Sequence, residues 1–155
     1  MKACSVQEDA DLGTVDVVVG VVFCRGKFFA EKRKANEKID TGIVCLPGGH
    51  VEPKETRDSA LIREMKEELS IEVKKLRFIK RSSWIASDGE RQNVYYYLVL
   101  EYKGKPVCRE AEDMLWIENV DQLDVEIDRQ AVEEGRAVLR VCDGSAGKVI
   151  GGKKY

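Results

Sequence analysis

Histidine, proline and aromatic side chains are scarce in this chain of 155 residues: one His, three Pro, and 7% Phe, Trp and Tyr. The single histidine, His50, leaves no imidazole pair for a histidine-rich metal centre. Nothing in the sequence places it beside a thiol, which argues against Cys–His catalysis. The five cysteines (Cys4, Cys24, Cys45, Cys108 and Cys142) are odd in number and show no CxxC spacing. That pattern disfavours a structural zinc site and a disulfide framework. Cys24 and Cys45 lie among strand residues and read as small buried hydrophobes. An excess of one charge is also lacking: 26 Lys and Arg against 28 Asp and Glu give a net charge of −2, with no electrostatic footprint for nucleic acid. No apolar run approaches the roughly 18 residues of a membrane span. The opening MKACSVQEDADLG has no apolar core of the signal-peptide kind. These absences lead us to expect a cytoplasmic protein without a membrane partner.

What is present is a globular composition, 43% hydrophobic and 35% charged, of a length that suits one domain. Residues 1–13 read as a loose arm, and the Gly- and Lys-rich residues 143–155 as a mobile tail. Val15 to Cys24 is β-branched and almost wholly apolar, as in a strand buried on both faces. Arg25-Gly26 predicts a tight turn and Lys27 to Lys34 a second strand that completes a hairpin. Ile43 to Cys45 is a brief strand running into a Pro-Gly-Gly turn. Val73 to Ile85 and Asn93 to Tyr102 predict a long hairpin about Ser87 to Glu90. Tyr95, Tyr96 and Tyr97 must alternate faces. Met114 to Ile117 reads as a short strand and Asn119 to Leu123 as a turn or single helical turn. Asp128 to Val141 predicts an amphipathic helix that buries Ala131, Val132, Ala137, Val138 and Val141.

The most informative stretch is LPGGHVEPKETRDSALIREMKEELSI, Leu46 to Ile71. Thr56 is the expected N-cap of a helix from Arg57 to Leu69, with Asp58 and Ser59 in its first turn. At about 100° per residue, Glu64, Glu67 and Glu68 share an arc of about 100° with Ala60 near its middle. Leu61, Ile62, Met65 and Leu69 fill an apolar arc that explains docking on a core. The acidic arc needs another explanation, because like charges at i,i+3 and i,i+4 repel. A hard divalent cation turns that repulsion into coordination. Gly48 and Gly49, just upstream, permit backbone approaches that a side chain would block. The chain lacks the spaced Asp/Asn loop of an EF-hand.

Gly49, Glu55, Arg63, Glu64, Met65, Glu67, Glu68 and Ile71 match G-x5-E-x7-R-E-U-x-E-E-x-G-U, and the segment therefore resembles the Nudix box. Ser70 replaces the second glycine of that pattern, a position expected to shape a turn and touch no ligand. More loosely, the resemblance runs from about Val17 to Leu139. It implies an α/β/α sandwich with a mixed β-sheet between helices, and hydrolysis of a nucleoside diphosphate linked to another moiety.

Carried over by position, Glu64 and Glu68 would be metal ligands, with Glu67 a ligand or charge-tuning neighbour and the Gly48 carbonyl a further ligand. Glu64 is also the candidate general base, oriented by Arg63, and Glu55 would support that arrangement. Arg33 and Gly49 are candidates to contact substrate phosphates. A further glutamate from the loop before Trp116 is expected to be Glu110, with Glu112 next; a solvated acidic loop is the plainer reading of both. The implied cofactor is Mg²⁺ or Mn²⁺, and the expected attack is by metal-activated water on a phosphorus.

For substrate, the layout is similar to small enzymes acting on nucleoside triphosphates, including damaged ones. ADP-ribose, dinucleoside polyphosphates and RNA caps are alternatives within the class, and a non-catalytic nucleotide-sensing module is the alternative outside it. Trp84, Tyr95 or Tyr97 could stack on a base, although core packing is the commoner role of each. Homodimers are common in the family, and nothing in the sequence locates an interface.

Overall fold

The structure, a computed structural model, describes residues 13–34, 42–107 and 113–144. Seven strands form one mixed sheet: β1 (Thr14–Cys24), β2 (Lys27–Lys32), β3 (Val44–Cys45), β4 (Gly48–His50), β5 (Glu72–Ile85), β6 (Arg91–Lys103) and β7 (Asp113–Ile117). Helix α1 (Arg57–Leu69) lies between β4 and β5, and α2 (Glu126–Gly144) follows a single 3-10 turn at Val120–Gln122. The main strand order is β3-β2-β1-β6-β5, with β4 also pairing with β1 and β7 with β2. This is the expected α/β/α sandwich. No helix among the described residues is long and apolar enough to cross a membrane.

β1 is the axis of the sheet because its sequence buries both faces. Val18 and Val22 pack with Leu61, Met65 and Leu69 of α1, while Val17, Val19 and Val21 pack with Ala131 and Val132 of α2. Along one edge it runs parallel to β6, from Thr14 opposite Arg91 to Val22 opposite Val99. Along the other edge it changes partner. Val17 to Val19 pair with β4, and only Phe23 and Cys24 pair with β2. The Arg25-Gly26 turn has positive φ at both residues, 51° and 80°, as a two-residue hairpin with right-handed twist requires.

The predicted hairpin therefore exists but is shorter than the sequence suggests, and the rest of β2 pairs with β3 and β7. β2 ends at Lys32 rather than Lys34, although the Arg33 N–H still donates to the Ile43 carbonyl at 2.9 Å. The Pro-Gly-Gly segment, expected as a turn, leads directly into β4, which contains both glycines. A Cβ at Gly48 would lie 2.2 Å from the Val18 carbonyl oxygen, so only glycine lets this backbone lie against β1.

Helix α1 has the predicted ends, and the Thr56 hydroxyl accepts from the Ser59 N–H at 3.1 Å. Its buried face is wider than the apolar arc. Glu64 and Glu68 are buried with Ala60, Leu61, Met65 and Leu69, whereas Ile62, expected in that arc, is exposed. In α2, Ala131 and Val132 are buried and Val138 is partly buried, as expected, but Ala137 and Val141 face solvent. The buried stripe runs through residues 131, 132, 135, 138 and 139. Ala137 and Val141 sit roughly 110° or more from its centre, too far round to reach the sheet.

Ser70 ends α1 in the left-handed conformation, φ 58° and ψ 26°, with its N–H donating to the Lys66 carbonyl at 3.1 Å and the Ile71 N–H to the Met65 carbonyl at 3.4 Å. Its hydroxyl oxygen is buried without a hydrogen-bond partner. Glycine adopts the left-handed conformation without steric cost and has no hydroxyl to bury. Ser70→Gly is expected to stabilise the protein by about 1 kcal/mol and leave activity unchanged; denaturant titration of both proteins measures the difference.

Candidate active site

The loop between β4 and α1 is held by one guanidinium. Arg63 projects from the middle of α1 and uses all five of its N–H donors. Nε donates to Glu55 Oε1 at 2.7 Å and Nη2 to Glu55 Oε2 at 3.0 Å, a bidentate pair. Nη1 donates to Glu64 Oε1 at 2.8 Å and to Glu67 Oε2 at 3.2 Å. Nη2 also donates to the His50 carbonyl at 2.9 Å. The Arg63 bond, with help from the Glu52 N–H, holds the Glu55 carboxyl below the usual carboxylate range. In return, bonding to Glu55 pushes the guanidinium further up, ahead of the contribution from Glu64. One cation thus fixes two ends of the loop and the orientation of a buried glutamate.

Glycine at position 49 leaves room for that glutamate. A Cβ there would lie 2.3 Å from the Glu64 carboxyl carbon and from Oε1, so any side chain would push the carboxylate off the position in which Arg63 holds it. The Glu64 carboxylate therefore rests against bare backbone. Glu64 and Glu68 both line a cleft of about 350 Å³, together with Gly48, Gly49 and Arg33. Glu67 is not in its lining; it is about half exposed on the helix rim and bound to Arg63. Glu110 and Glu112 lie outside the described residues.

The rest of the cleft's lining is different in character. Trp84, Gln92, Val94, Tyr96, Val125, Ile127 and Asp128 line it. Of the three aromatic candidates for base stacking only Trp84 faces this space. Tyr95 and Tyr97 point to the other face of the sheet and join the core under α1. There the Arg57 guanidinium lies 3.8 Å from the Tyr95 ring centroid. Burial, followed by the neighbouring Asp58, pushes the Tyr97 hydroxyl up to about 12.

The sequence marks Asp128 only as a helix start, yet the residue is almost fully buried at the floor of the cleft. Its Oδ1 accepts from the Tyr96 hydroxyl at 2.5 Å and its Oδ2 from the Leu46 N–H at 3.0 Å. The available signal is helical phase: Asp128 lies one turn before Ala131 and Val132, on the same face. Glu31 is a second acid that polarity alone misplaces. It is buried on β2, opposite Cys45.

Two buried carboxylates and nearby backbone suit a hard cation. Among the described residues no three His, Cys, Asp or Glu side chains gather closely enough to enclose an ion. The donor set nevertheless fits Mg²⁺, which characteristically takes one or two carboxylates and completes its shell with water and substrate phosphates.

Burial outweighs the two hydrogen bonds on Asp128 and raises its carboxyl from the ordinary 3.8 to about 6. A carboxyl raised on folding stabilises the fold below its unfolded value, and that contribution is lost as pH rises through the folded value. Asp128 therefore makes stability fall as pH rises. Asp128→Asn keeps the pairing if the Tyr96 hydroxyl turns to accept, and it removes the ionisation. Relative to that variant, wild type should lose up to roughly 3 kcal/mol between about pH 4 and pH 7.5. Chemical-denaturation midpoints at the two pH values check this. A difference that does not vary with pH would contradict it.

With the geometry in view, comparisons with known proteins agree on one family. The family model described as NUDIX domain matches residues 14–139. Over 109 residues the chain is 33% identical to an 8-oxo-dGTP diphosphatase of Haemophilus influenzae, covering 70% of this chain and 79% of that protein. Over 102 residues it is 28% identical to a CTP pyrophosphohydrolase of Escherichia coli, covering 66% and 74% respectively. The fold is similar to the crystal structure of a MutT NUDIX hydrolase from Burkholderia pseudomallei, with a TM-score of 0.69, 26% identity, and coverage of 78% of this chain and 97% of that one. The chain belongs to the NUDIX family and is a Nudix hydrolase of the nucleotide pyrophosphohydrolase type.

Proposed function

We propose that the protein hydrolyses a nucleoside triphosphate to the nucleoside monophosphate and pyrophosphate, with Mg²⁺ or Mn²⁺ bound by Glu64, Glu68 and the Gly48 carbonyl. The observation that carries this reading is a cleft that combines two kinds of lining. Buried Glu64 and Glu68 line it with Arg33, and so do Trp84 and the hydrogen-bonded Asp128–Tyr96 pair. A volume of about 350 Å³ suits one nucleotide better than a dinucleoside or a polymer. The named activities of the Haemophilus influenzae and Escherichia coli relatives both concern nucleoside triphosphates, which supports the same class.

The bound cation supplies neutralisation of the phosphate oxygens and a lowered pKa for the attacking water. The protein supplies the rest. Glu64, with one oxygen fixed by Arg63, accepts the proton of the water that attacks phosphorus, and the P–O bond to the departing pyrophosphate breaks. Arg33 contacts the phosphate chain. Glu67 tunes the charge around Arg63. Glu110 and Glu112 are proposed as further carboxylates of the metal site. The base stacks on Trp84, and the Asp128 oxygens retain lone pairs for N–H donors on its edge. Two adjacent N–H donors, as on guanine or an oxidised guanine, fit that acceptor best.

Wild type and Glu64→Gln, tested on a panel of ordinary and oxidised nucleoside triphosphates, ADP-ribose and dinucleoside polyphosphates with each metal, discriminate the possibilities. The wild type is expected to release monophosphate and pyrophosphate from a triphosphate. Glu64→Gln should lose about 10³-fold in kcat without a lower melting temperature. Trp84→Ala should raise KM about tenfold and change kcat little, since base stacking is worth ~1–3 kcal/mol. A wild type that binds nucleotides with no turnover would overturn the reading.

A further inference from the structure

The chain's only imidazole has a place in the site that the reaction above does not use. His50 ends β4, and its Nε2 lies 2.7 Å from Glu90 Oε1. The same Glu90 oxygen accepts from Gln92 Nε2 at 2.9 Å. Glu90 belongs to the turn joining β5 and β6. Its N–H donates to Asp88 Oδ1 at 2.9 Å and its carbonyl accepts from the Ala86 N–H at 2.9 Å. The Gln92 and His50 bonds, in that order, hold its carboxyl below the usual range. Trp84 is the strand partner of Gln92. Glu90 therefore joins the cleft wall that carries Trp84 to the strand that carries Gly48 and Gly49.

The other end of His50 reaches the carboxylate site, because its carbonyl is the acceptor for Arg63 Nη2. β4 is only three residues long; its last residue pairs with Val17, the next N–H donates to the Asp16 carbonyl at 2.9 Å, and the His50 side chain adds the bond to Glu90. We infer that Glu90 is a positioning residue: by clamping the His50 side chain it fixes the carbonyl that orients Arg63, and through Arg63 it sets the Glu64 carboxylate. The inference rests on the hydrolase reading for its kinetic consequence but not for its structural one. It also gives the hairpin turn a route to the chemistry, since the side-chain bonds of Glu90 run to His50 and Gln92 rather than to α1.

The test uses Glu90→Ala and Glu90→Gln in the full-length protein, each alone and in the Arg63→Lys background. Glu90→Ala should lower kcat about tenfold and leave KM within about twofold, as displaced support for a catalytic group does. Glu90→Gln, whose amide oxygen still accepts from an imidazole N–H, should restore most of that loss. In the Arg63→Lys background Glu90→Ala should have less than about twofold effect, because the relay already lacks its second donor. An equal loss in both backgrounds, or a change in KM alone, would overturn the inference. NMR of the Arg63 guanidinium supplies an arm that needs no substrate. Its N–H resonances should shift and broaden in Glu90→Ala and stay in place in Glu90→Gln. Unchanged resonances in Glu90→Ala overturn the inference even if no nucleotide is hydrolysed, whereas shifted resonances in an inactive protein uphold the relay and reject the reaction.

Discussion

The Arg63 guanidinium is the constraint on which the site depends. Its five donors meet the Glu55 carboxylate twice, Glu64, Glu67 and the His50 carbonyl. A lysine could reach some of these acceptors but could not present a planar fork to Glu55 while bonding in three other directions. The geometry also resolves the crowding of three glutamates on two turns of helix. Glu64 and Glu67 share a cation instead of repelling each other, and Glu55 holds that cation through two parallel hydrogen bonds. What remains toward the cleft is a pair of buried carboxylates supported from behind.

The buried carboxylates of the cleft have different partners. Glu64 meets a guanidinium, with Arg63 Nη1 donating to its Oε1 at 2.8 Å. At Asp128 the bonding partners are a hydroxyl and a backbone N–H; they offset only part of the burial, and the carboxyl titrates at about 6. Such a group costs stability at neutral pH. Its retention at the floor of the cleft makes sense if its oxygens serve a ligand.

Much of this was legible in the sequence where the determinants are local. The ends of α1 follow from Thr56, the apolar period and the residues after Leu69. The contacts of Arg63 with Glu64 and Glu67 lie one and four residues along one helix, and the spacing to Glu55 belongs to the matched motif. The both-face burial of β1 follows from its unbroken run of β-branched residues. Illegible were the features set by distant parts of the chain. The change of partner along β1 depends on where β4 and β2 come to lie. The Leu46–Asp128 and His50–Glu90 bonds join residues 82 and 40 positions apart. Ile62 and Glu68 show the limit of reading polarity alone: the helix buries an acid and exposes an aliphatic side chain, because Glu68 lies within the arc from Ala60 through Leu61 and Met65 to Leu69 that docks on the core, and Ile62 lies roughly 110° from that arc's centre.

The most direct test of the role assigned to Arg63 is Mn²⁺ binding by the wild type and Arg63→Ala in the absence of nucleotide, measured by titration calorimetry. Removing a positive charge beside a cation site should tighten binding if Arg63 acts only through its charge. With Arg63 as the group that aims Glu64, binding should be at least about tenfold weaker in Arg63→Ala. Equal or tighter binding in the variant would contradict it.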